Sequence, residues 1–572
     1  MAGTSMQRVR YFLAAVLLLV CVTGCPRRAP DTPPPPSSST TVYLARRVRT
    51  LDPARPLAEA LAVRDRKVLA AGSRDEVLAA AGSDARVVDL GDATVVPGLT
   101  DGHGHLSGLG RALSAVVLVG STSRQEVLER LKAAPRSAFQ GDWLIGQGWD
   151  QNDWPEKAFP TRAELDASWP TTPLALARID GHALWVNGEA LRRARITRDT
   201  KDPQGGRIHR GPDGEPTGIL VDNAMGLVYA VMPPPTDEQF EAQLTAALAR
   251  CAQAGMTGVH DAGMDLRTFN VLKRWDAEGR LPLRVYAMAE GMGDEREKYL
   301  ELGPFQGNRL TMRAVKLMVD GALGSRGAAL HAPYSDETGQ SGLLLLSPEE
   351  YEASVRAFIG RGFQVATHAI GDRANTLVLD TLLRVAGPEG VRKGRHRVEH
   401  AQVLRLEDIP KLGANGFIAS VQPTHATSDM PWAEARVGPE RIRGAYAWQR
   451  LKAAGAPLAL GSDFPVEQPD MLAGLYAART RQDAAGQPPG GWLPDQRLSG
   501  EEALEGFTVG NAYASFAEEL RGRLQPGMDA DFVALSVDPV DAQPSDLLTA
   551  QVRLTVVAGD PIYQAAPFDG PR

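Results

Sequence analysis

Eight short apolar segments, separated by stretches of helical character, constrain the fold of this chain more than any other feature of its sequence. Most of them end in a polar residue, and their alternation with helices is typical of parallel βα units. The segments are VVPGLTDGHGH (95–105), TGVHDAG (257–263), LRVYAMAE (283–290), RAVKLMVDG (313–321), QVATHAIGD (364–372), RVEHAQV (397–403), IASVQPTH (418–425) and LALGSDFP (458–465). This pattern predicts an α/β fold, a (β/α)₈ TIM barrel, with functional groups at the carboxyl ends of its strands.

Two further regions are predicted around the barrel, which occupies residues 99–520. The gap after the first strand is too long for one helix, so a long insert subdomain is expected at about 107–250. Short alternating strands at both chain ends, residues 42–98 and 521–572, predict one small β-sandwich built from both ends.

The N-terminus is typical of a targeting signal. Two arginines precede an apolar run, residues 11–22, which is too short to cross a bilayer comfortably. The run ends in VTGC, which resembles a bacterial lipobox, so we expect a signal peptide over 1–24 and a lipidated Cys25. The Pro/Ser-rich residues 25–41 then form a tether. The expected location is the bacterial cell envelope, with a lipid anchor in the membrane and the protein facing the periplasm or the exterior. An ordinary secretory signal with an incidental cysteine is the alternative.

Composition and charge exclude several classes of protein. With 43% hydrophobic and 23% charged residues among 572, the chain is neither largely disordered nor a polytopic membrane protein. A net charge of −7 gives no sign of a nucleic-acid partner. Three cysteines exclude a disulfide-stapled scaffold and a cysteine-rich zinc domain. We therefore expect a small-molecule substrate and no nucleic acid, and leave a homodimer open.

Four of the ten histidines lie near the ends of predicted barrel strands. His103 and His105 are two residues apart, so on a strand they face the same side, and neutral imidazole suits divalent transition metals. Such a pair is also common among exposed or structural histidines. His368, His400 and Asp463 end three further strands, and this combination predicts a metal centre.

Lys316 lies on a strand that is otherwise too apolar for an unpaired ammonium group. One explanation is a carbamate formed with CO₂, whose two oxygens can bridge two metal ions. The other explanation is an ion pair with Asp463 or Asp320, and both stay open at this point.

Long motifs in the chain resemble the amidohydrolase superfamily, and more closely its Amidohydro_3 branch of YtcJ-like hydrolases, here in a bacterial lipoprotein form. The motifs are PGLTDGHGHL, VKLMVDGALGSRGAAL, THAIGDRAN, HRVEHAQ and LALGSDFPVE, joined by GWDQNDWPEKAFPTRAELD, ARIDGHALWVNGEAL and GRLQPGMDADFVAL. The resemblance spans about residues 42 to 565. It implies a metal-bearing (β/α)₈ barrel with a split β-sandwich, and hydrolysis of C–N bonds outside peptides.

The resemblance implies a role for each matching position. His103 and His105 match the first-strand metal ligands, Lys316 the usually carboxylated lysine, His368 and His400 the ligands of strands five and six, and Asp463 the aspartate that contacts metal and shuttles protons. Gly104 departs from the usual small polar residue between the first two histidines. Zn²⁺ is expected, as one ion or two, with Mn²⁺, Fe²⁺ and Ni²⁺ as alternatives.

Four residues are candidates for substrate binding. His182 lies in RIDGHALWVN, which resembles a substrate-facing segment of this branch, and Trp149 and Asp150 are expected to wall the pocket. Arg326 is expected to clamp a substrate carboxylate or amide oxygen. The alternatives are structural. Trp149 and Asp150 would belong to the core of the insert, His182 would have a structural role, and Arg326 would form an ion pair with Asp320 or Glu399. The remaining histidines considered are expected to be structural: His209, His331, His396 and His425.

These observations predict a metal-dependent amidohydrolase. A metal-activated hydroxide attacks an amide-type carbonyl, and Asp463 passes the proton to the leaving nitrogen. The expected substrate is an amide, an N-acyl or N-formyl compound, or a cyclic amide. The alternatives are a catalytically inactive binding lipoprotein on the same scaffold, or a metal-dependent esterase, lactonase or isomerase.

Overall fold

The structure of the protein, a computed structural model, describes residues 40–565 of the chain. The predicted signal peptide, Cys25 and nearly all of the predicted tether lie outside the described residues. Within residues 40–565, no helix combines the length and apolar character needed to cross a membrane.

Eight parallel strands, called barrel strands 1 to 8, form a nearly closed barrel. They are Leu99–Gly104, Met256–Met264, Arg284–Glu290, Leu310–Met318, Gln364–Ala369, Arg397–His400, Ile418–Val421 and Leu458–Leu460. Neighbours pair in chain order. Between strands 8 and 1, the Asp463 N–H donates to the His103 carbonyl at 2.7 Å, and the His105 N–H donates to the Phe464 carbonyl at 2.8 Å. Each predicted segment overlaps one barrel strand, and the first also overlaps Thr94–Pro97 of the terminal sheet described below, so the barrel prediction is confirmed.

Helices follow the barrel strands and cover the outside of the barrel. They are Leu106–Ser114 and Asp237–Gln253 after strand 1, Leu266–Ala277 after strand 2, Arg296–Leu302 after strand 3, Pro348–Gly360 after strand 4, Asp372–Gly394 after strand 5, Ile409–Asn415 after strand 6, Pro423–Asp429, Ala433–Arg441 and Trp448–Ala453 after strand 7, and Met471–Thr480, Gly500–Glu505 and Asn511–Ala514 after strand 8. Local sequence sets their starts. The Ser347 hydroxyl accepts from the Glu350 N–H at 3.2 Å while the Glu350 carboxylate accepts from the Ser347 N–H at 2.9 Å, a capping box.

The residues between barrel strands 1 and 2 form a second sheet. Its strands are Val116–Val117, Phe139–Gln140, Trp143–Trp149, Leu174–Arg178, Ala183–Val186, Gly206–Arg210 and Pro216–Asp222, accompanied by the helices Arg124–Lys132, Arg162–Ser168, Gly188–Arg193 and Gly226–Tyr229. Three tryptophans, Trp149, Trp154 and Trp185, pack together in its core. This sheet lies within the range predicted for the insert, and one of its ends reaches the barrel cavity described below.

Strands from both ends of the chain form a third sheet. They are Thr41–Arg49, Leu57–Arg64, Lys67–Gly72, Arg86–Asp89, Thr94–Pro97, Phe532–Leu535, Val552–Val557 and Asp560–Gln564, with the helix Arg74–Ala81 beside them. Antiparallel pairing of Phe532–Leu535 with Thr94–Pro97 joins the two ends. The layering of these strands into a two-sheet sandwich stays a prediction.

Candidate metal centre

A cavity of about 510 Å³ opens at the carboxyl ends of the barrel strands. All six predicted metal-site residues line it: His103, His105, Lys316, His368, His400 and Asp463. The insert contributes a further wall, made by Asp150, Arg178, Asp180 and His182. The fold therefore brings strand-end residues that are far apart in sequence to one place, as a barrel does.

Three of these residues form the tightest group of ligand atoms. Atoms of His103, His400 and Asp463 all lie within 4.8 Å of one another, and the three side chains are buried. His105 adds a fourth side chain, since its Nε2 lies 3.0 Å from Asp463 Oδ1. Imidazole nitrogens with a carboxylate oxygen are a donor set that Zn²⁺ and similar divalent ions accept.

His368 and Lys316 complete the group. His368 Nε2 is buried and makes no hydrogen bond to any described residue, and the His368 and His400 ring centroids are 4.5 Å apart. Asp320 Oδ1 lies 3.6 Å from this nitrogen, beyond hydrogen-bond distance. A buried ring nitrogen without a hydrogen bond is costly in a protein interior and fits a metal ligand. Lys316 Nζ lies 3.1 Å from His103 Nε2 and forms no ion pair with Asp463 or Asp320. The residues present therefore fit a divalent metal ion.

The backbone around the centre is held in uncommon conformations. His400 has φ 72° and Asp463 has φ 64°, in the left-handed region that non-glycine residues rarely adopt. Gly104 permits the close approach of barrel strands 1 and 8, because a Cβ there would lie 2.4 Å from the Phe464 ring. Strained positions of this kind cluster at functional sites.

The outward-facing ring nitrogens are held by neighbouring side chains. His103 Nδ1 lies 2.5 Å from Glu399 Oε2, and Glu399 is ion-paired with Arg397 at 2.6 Å. His400 Nδ1 lies 2.9 Å from Gln422 Oε1. Partners of this type fix the orientation and tautomer of a metal-binding histidine and leave the other ring nitrogen for the metal.

The electrostatics favour the ligand forms of these side chains. Burial lowers the pKa of His103 to about 4 and lowers the pKa values of His368 and His400 well below the usual range. Burial alone would raise the pKa of Asp463, but His103 and the other imidazoles lower it well below its usual range. Burial also lowers the pKa of Lys316. Neutral imidazoles and an ionised carboxylate are the forms that bind metal.

His182 is placed at the cavity wall beside the metal centre. Its ring centroid lies 5.6 Å from that of His368, and its Nδ1 lies 2.6 Å from Asp222 Oδ1. Burial alone would lower the pKa of His182, but the Asp222 carboxylate raises it to about 9. His182 therefore presents a charged imidazolium to the cavity, with one ring nitrogen engaged by Asp222.

Asp150 also lines the cavity, where it is paired with a residue that the sequence analysis missed. The Arg178 guanidinium lies 2.5 Å from Asp150 Oδ1 and 2.5 Å from Asp180 Oδ2, and Arg178 is almost fully buried. The available sequence signal was an arginine at the end of an apolar strand, with Asp180 two residues after it. This network fixes the wall that the insert presents to the cavity.

Two candidates for substrate binding do not reach the cavity. Trp149 is fully buried in the insert core, and its indole N–H donates to the Leu176 carbonyl at 2.7 Å. Arg326 lines a separate groove and pairs with Asp336 at 3.0 Å and with Glu337 at 3.3 Å. The structure therefore places neither side chain in the lining of this cavity, and it pairs Arg326 with Asp336 and Glu337 instead of with Asp320 or Glu399.

His425 was expected to be structural, but it lines the cavity. Its Nε2 lies 3.6 Å from Asp463 Oδ2, has no hydrogen-bond partner in the part of the chain that the structure describes, and its ring stacks on that of His400. Its position just after barrel strand 7 was the available signal, since the carboxyl ends of all eight strands meet here.

Comparisons with known proteins identify the family of this chain. The chain matches the Amidohydro_3 model, described as an amidohydrolase family, over residues 86–563. It is 33% identical over 516 residues to the YtcJ protein of Bacillus subtilis, covering 88% of this chain and 96% of that protein. It is 28% identical over 539 residues to the N-substituted formamide deformylase of Arthrobacter pascens, covering 90% and 96%.

A solved structure is also similar to this chain over most of its length. The crystal structure of a metal-dependent hydrolase from Pyrococcus horikoshii matches with a TM-score of 0.72 and 29% identity, covering 88% of this chain and 99% of that one. This family and these neighbours support a hydrolase, and the grouped histidines and aspartate support a divalent metal. The chain belongs to the amidohydrolase family.

Proposed function

We propose that the protein is a metal-dependent hydrolase of a non-peptide C–N bond in an amide, an N-acyl or N-formyl compound, or a cyclic amide. The observation that carries the proposal is the grouping of ligand atoms from His103, His400 and Asp463 within 4.8 Å, in a cavity of about 510 Å³. That volume suits a small molecule. The name of the relative from Arthrobacter pascens supports N-substituted formamides as the first compounds to test.

The residues that would hold one or two divalent ions are His103, His105, His368, His400, Asp463 and, once carboxylated, Lys316. Zn²⁺ is the first candidate, and Mn²⁺, Fe²⁺ and Ni²⁺ are alternatives. When bound, such an ion lowers the pKa of water and polarises a carbonyl oxygen.

Asp463 is proposed as the proton shuttle of the reaction. Its pKa is held well below the usual range, so at neutral pH it is ionised and able to accept a proton from the attacking water. It then returns that proton to the leaving nitrogen as the C–N bond breaks, which matters because amines leave poorly unless protonated. His105 Nε2 lies 3.0 Å from Asp463 Oδ1, so the two side chains are placed to hold the same ion.

His182 is proposed to bind the substrate carbonyl group. Because Asp222 engages Nδ1, the Nε2–H group is left to donate a hydrogen bond into the cavity. A charged donor stabilises the negative charge that develops on the carbonyl oxygen during attack. The position of His182 on the insert wall, beside His368, suits this role.

Lys316 is proposed to carry a carbamate. The neutral amine, which burial favours, attacks the carbon of CO₂ so that an N–C bond forms while one C=O π bond breaks and its electron pair moves to oxygen. The nitrogen then loses one proton to solvent. The product has two carboxylate-like oxygens beside His103. Mass spectrometry under native conditions should detect a CO₂ adduct that Lys316→Arg lacks, and full activity without any CO₂ adduct would reject the modification.

The function is tested by a substrate screen of the metal-loaded full-length protein. The screen covers N-formyl amines, N-acyl amino acids, cyclic amides, carbamates and simple esters. We expect turnover of at least one C–N compound, with incorporation of ¹⁸O from labelled water, and a loss of about 10²–10⁴ in kcat for Asp463→Asn. Near-normal turnover by Asp463→Asn, or a product without ¹⁸O, would overturn the proposed hydrolysis.

We also propose that this hydrolase acts in the bacterial cell envelope, anchored by a lipid on Cys25. The lipobox-like residues before Cys25 and the Pro/Ser-rich segment after it support this location.

A further inference from the structure

A second, smaller cavity of about 100 Å³ lies at the opposite end of the barrel from the metal centre. Its walls come from the first residues of barrel strands 1 to 4, including Thr100, Thr257, Arg284 and Thr311, and from the segment 515–522 that follows the last barrel helix. The metal-binding side chains lie at the other ends of the strands, so this lower cavity is separate from the proposed active site.

Arginines dominate the charge of the lower cavity. Four of them line it, namely Arg284, Arg309, Arg313 and Arg521, whereas Asp531 is the one carboxylate among its described lining residues. Arg284 already binds Asp531 in a two-point pair, with Nε to Oδ2 at 2.5 Å and Nη2 to Oδ1 at 3.0 Å. Asp531 forms no ion pair with the other three arginines.

Arg313 forms no ion pair among residues 40–565, and its charge reaches Glu518, a carboxylate that is already paired with Arg395 at 2.5 Å. Its guanidinium lies 3.5 Å from the centroid of the Phe516 ring, which also lines the cavity. Stacking on an aromatic ring holds the planar group in place and leaves its N–H donors unused. Arg313 is exposed, so this end of the cavity is open to solvent.

Arg521 is only weakly paired. Its Nη2 lies 3.4 Å from Asp529, a carboxylate that also contacts Lys67 at 2.6 Å and Arg284 at 3.0 Å. Its Nε is buried and lacks any hydrogen-bond partner among the residues described. A buried charged donor that is left unpaired is costly unless a ligand satisfies it.

Arg309 is bound mainly to neutral groups. Its Nη1 donates to the carbonyls of Leu281 and Pro282 at 3.0 and 2.9 Å, and its Nη2 lies 3.2 Å from the exposed Asp560. Burial and the charge of Arg284 lower the pKa of Arg309, and the same two causes lower the pKa of Arg521 to about 10. The lower cavity therefore has positive charge that its own carboxylates do not balance.

We propose that the lower cavity binds one small tetrahedral oxyanion, of which inorganic phosphate is the simplest. Arginine side chains match the oxygens of such a group in a two-point fashion, and the hydroxyls of Thr100 and Thr311 add neutral donors. The Thr257 hydroxyl instead donates to the Leu99 carbonyl at 3.1 Å. A volume of about 100 Å³ admits one group of this size and excludes a nucleotide. This site goes beyond the proposed hydrolysis and does not depend on it.

Isothermal titration calorimetry of the metal-loaded full-length protein with inorganic phosphate tests the proposal, at constant ionic strength set with chloride. We expect phosphate to bind and Arg313→Gln to raise its Kd about tenfold or more, since it removes a charge-assisted hydrogen bond. Arg521→Gln should have a similar effect. The matched control Arg46→Gln, an exposed arginine on the terminal sheet, should leave Kd unchanged.

The variant His103→Asn distinguishes phosphate bound in the lower cavity from phosphate bound at the metal centre. It should leave binding in the lower cavity intact. Binding that survives Arg313→Gln and Arg521→Gln unchanged but disappears in His103→Asn would overturn the proposal, as would no heat beyond that of chloride. Both arginine variants must keep the thermal denaturation midpoint of the wild type in phosphate-free buffer. If they bind phosphate weakly only because they misfold, the result counts against the proposal.

Discussion

His103 Nδ1 lies 2.5 Å from Glu399 Oε2, and neither side chain has any solvent exposure. Arg397 pairs with the other oxygen of Glu399 at 2.6 Å and donates to the Gly102 carbonyl at 2.7 Å. Burial alone would raise the pKa of Glu399, but Arg397 and His103 lower it below its usual range. The ionised carboxylate therefore keeps a proton on Nδ1 and leaves Nε2 of His103 to bind a metal ion.

Replacing this carboxylate should weaken metal binding without removing a ligand. We expect Glu399→Gln to lower the affinity for the divalent ion by about 10–100-fold, because the amide orients His103 but no longer increases its basicity. Competition with a chromophoric chelator measures the change. Glu352→Gln, on the helix Pro348–Gly360, is the control. Equal metal affinity in the wild type and Glu399→Gln would contradict the role of Glu399.

His182 and Arg326, both expected from the sequence to contact the substrate, should differ in their effect on turnover. His182→Gln removes a charged donor from the cavity wall and should lower kcat/KM by about tenfold or more. Arg326→Gln changes a groove outside the cavity and should leave kcat/KM within about twofold, because surface changes distant from the site are usually small. The two values are compared on any substrate found in the screen. A larger loss in Arg326→Gln than in His182→Gln would show that the substrate extends into that groove.

The barrel was predictable because its information is local. Each strand is a short apolar run. Because the strands are parallel, the polar residues at their carboxyl ends all lie at the same end of the barrel. For this reason the cavity brings together His103, His105, His368, His400 and Asp463. Their grouping could be predicted from the strand ends alone, without knowledge of contacts between distant parts of the chain.

The walls of the cavity were less predictable because they depend on the packing of the insert. Trp149 and Asp150 are adjacent in sequence, yet one lies in the insert core and the other at the cavity. Trp149 is the last residue of its strand and Asp150 follows on extended backbone, where neighbouring side chains face opposite sides. Arg178 reaches the cavity from a strand that pairs only within the insert. His425 follows a strand end but lies on the helix Pro423–Asp429. The alternation of side chains along a strand therefore does not predict which way His425 faces.

Cys25 carries the prediction of membrane anchoring. If it is lipidated, the wild-type protein should partition into the membrane fraction of a bacterial host and incorporate radiolabelled palmitate, and Cys25→Ser should do neither. Cys21→Ser, which alters the apolar run but not the lipobox-like residues, is the matched control. Incorporation of palmitate by Cys25→Ser at the wild-type level would contradict lipidation at this residue.

His396 should make stability fall at acidic pH. Its ring is almost fully buried, its Nδ1 accepts a hydrogen bond from the Val365 N–H at 2.9 Å, and burial lowers its pKa to about 4. Because the unfolded chain binds this proton near pH 6.5 and the folded chain does not, the contribution is present above about pH 6.5 and is lost as pH falls toward about 4. The loss is about 3 kcal/mol at most. Urea denaturation at both pH values should show a smaller loss for His396→Asn, which keeps an acceptor for Val365, and a wild-type loss for the exposed control His331→Asn. Equal losses in wild type and His396→Asn would show that His396 is not responsible.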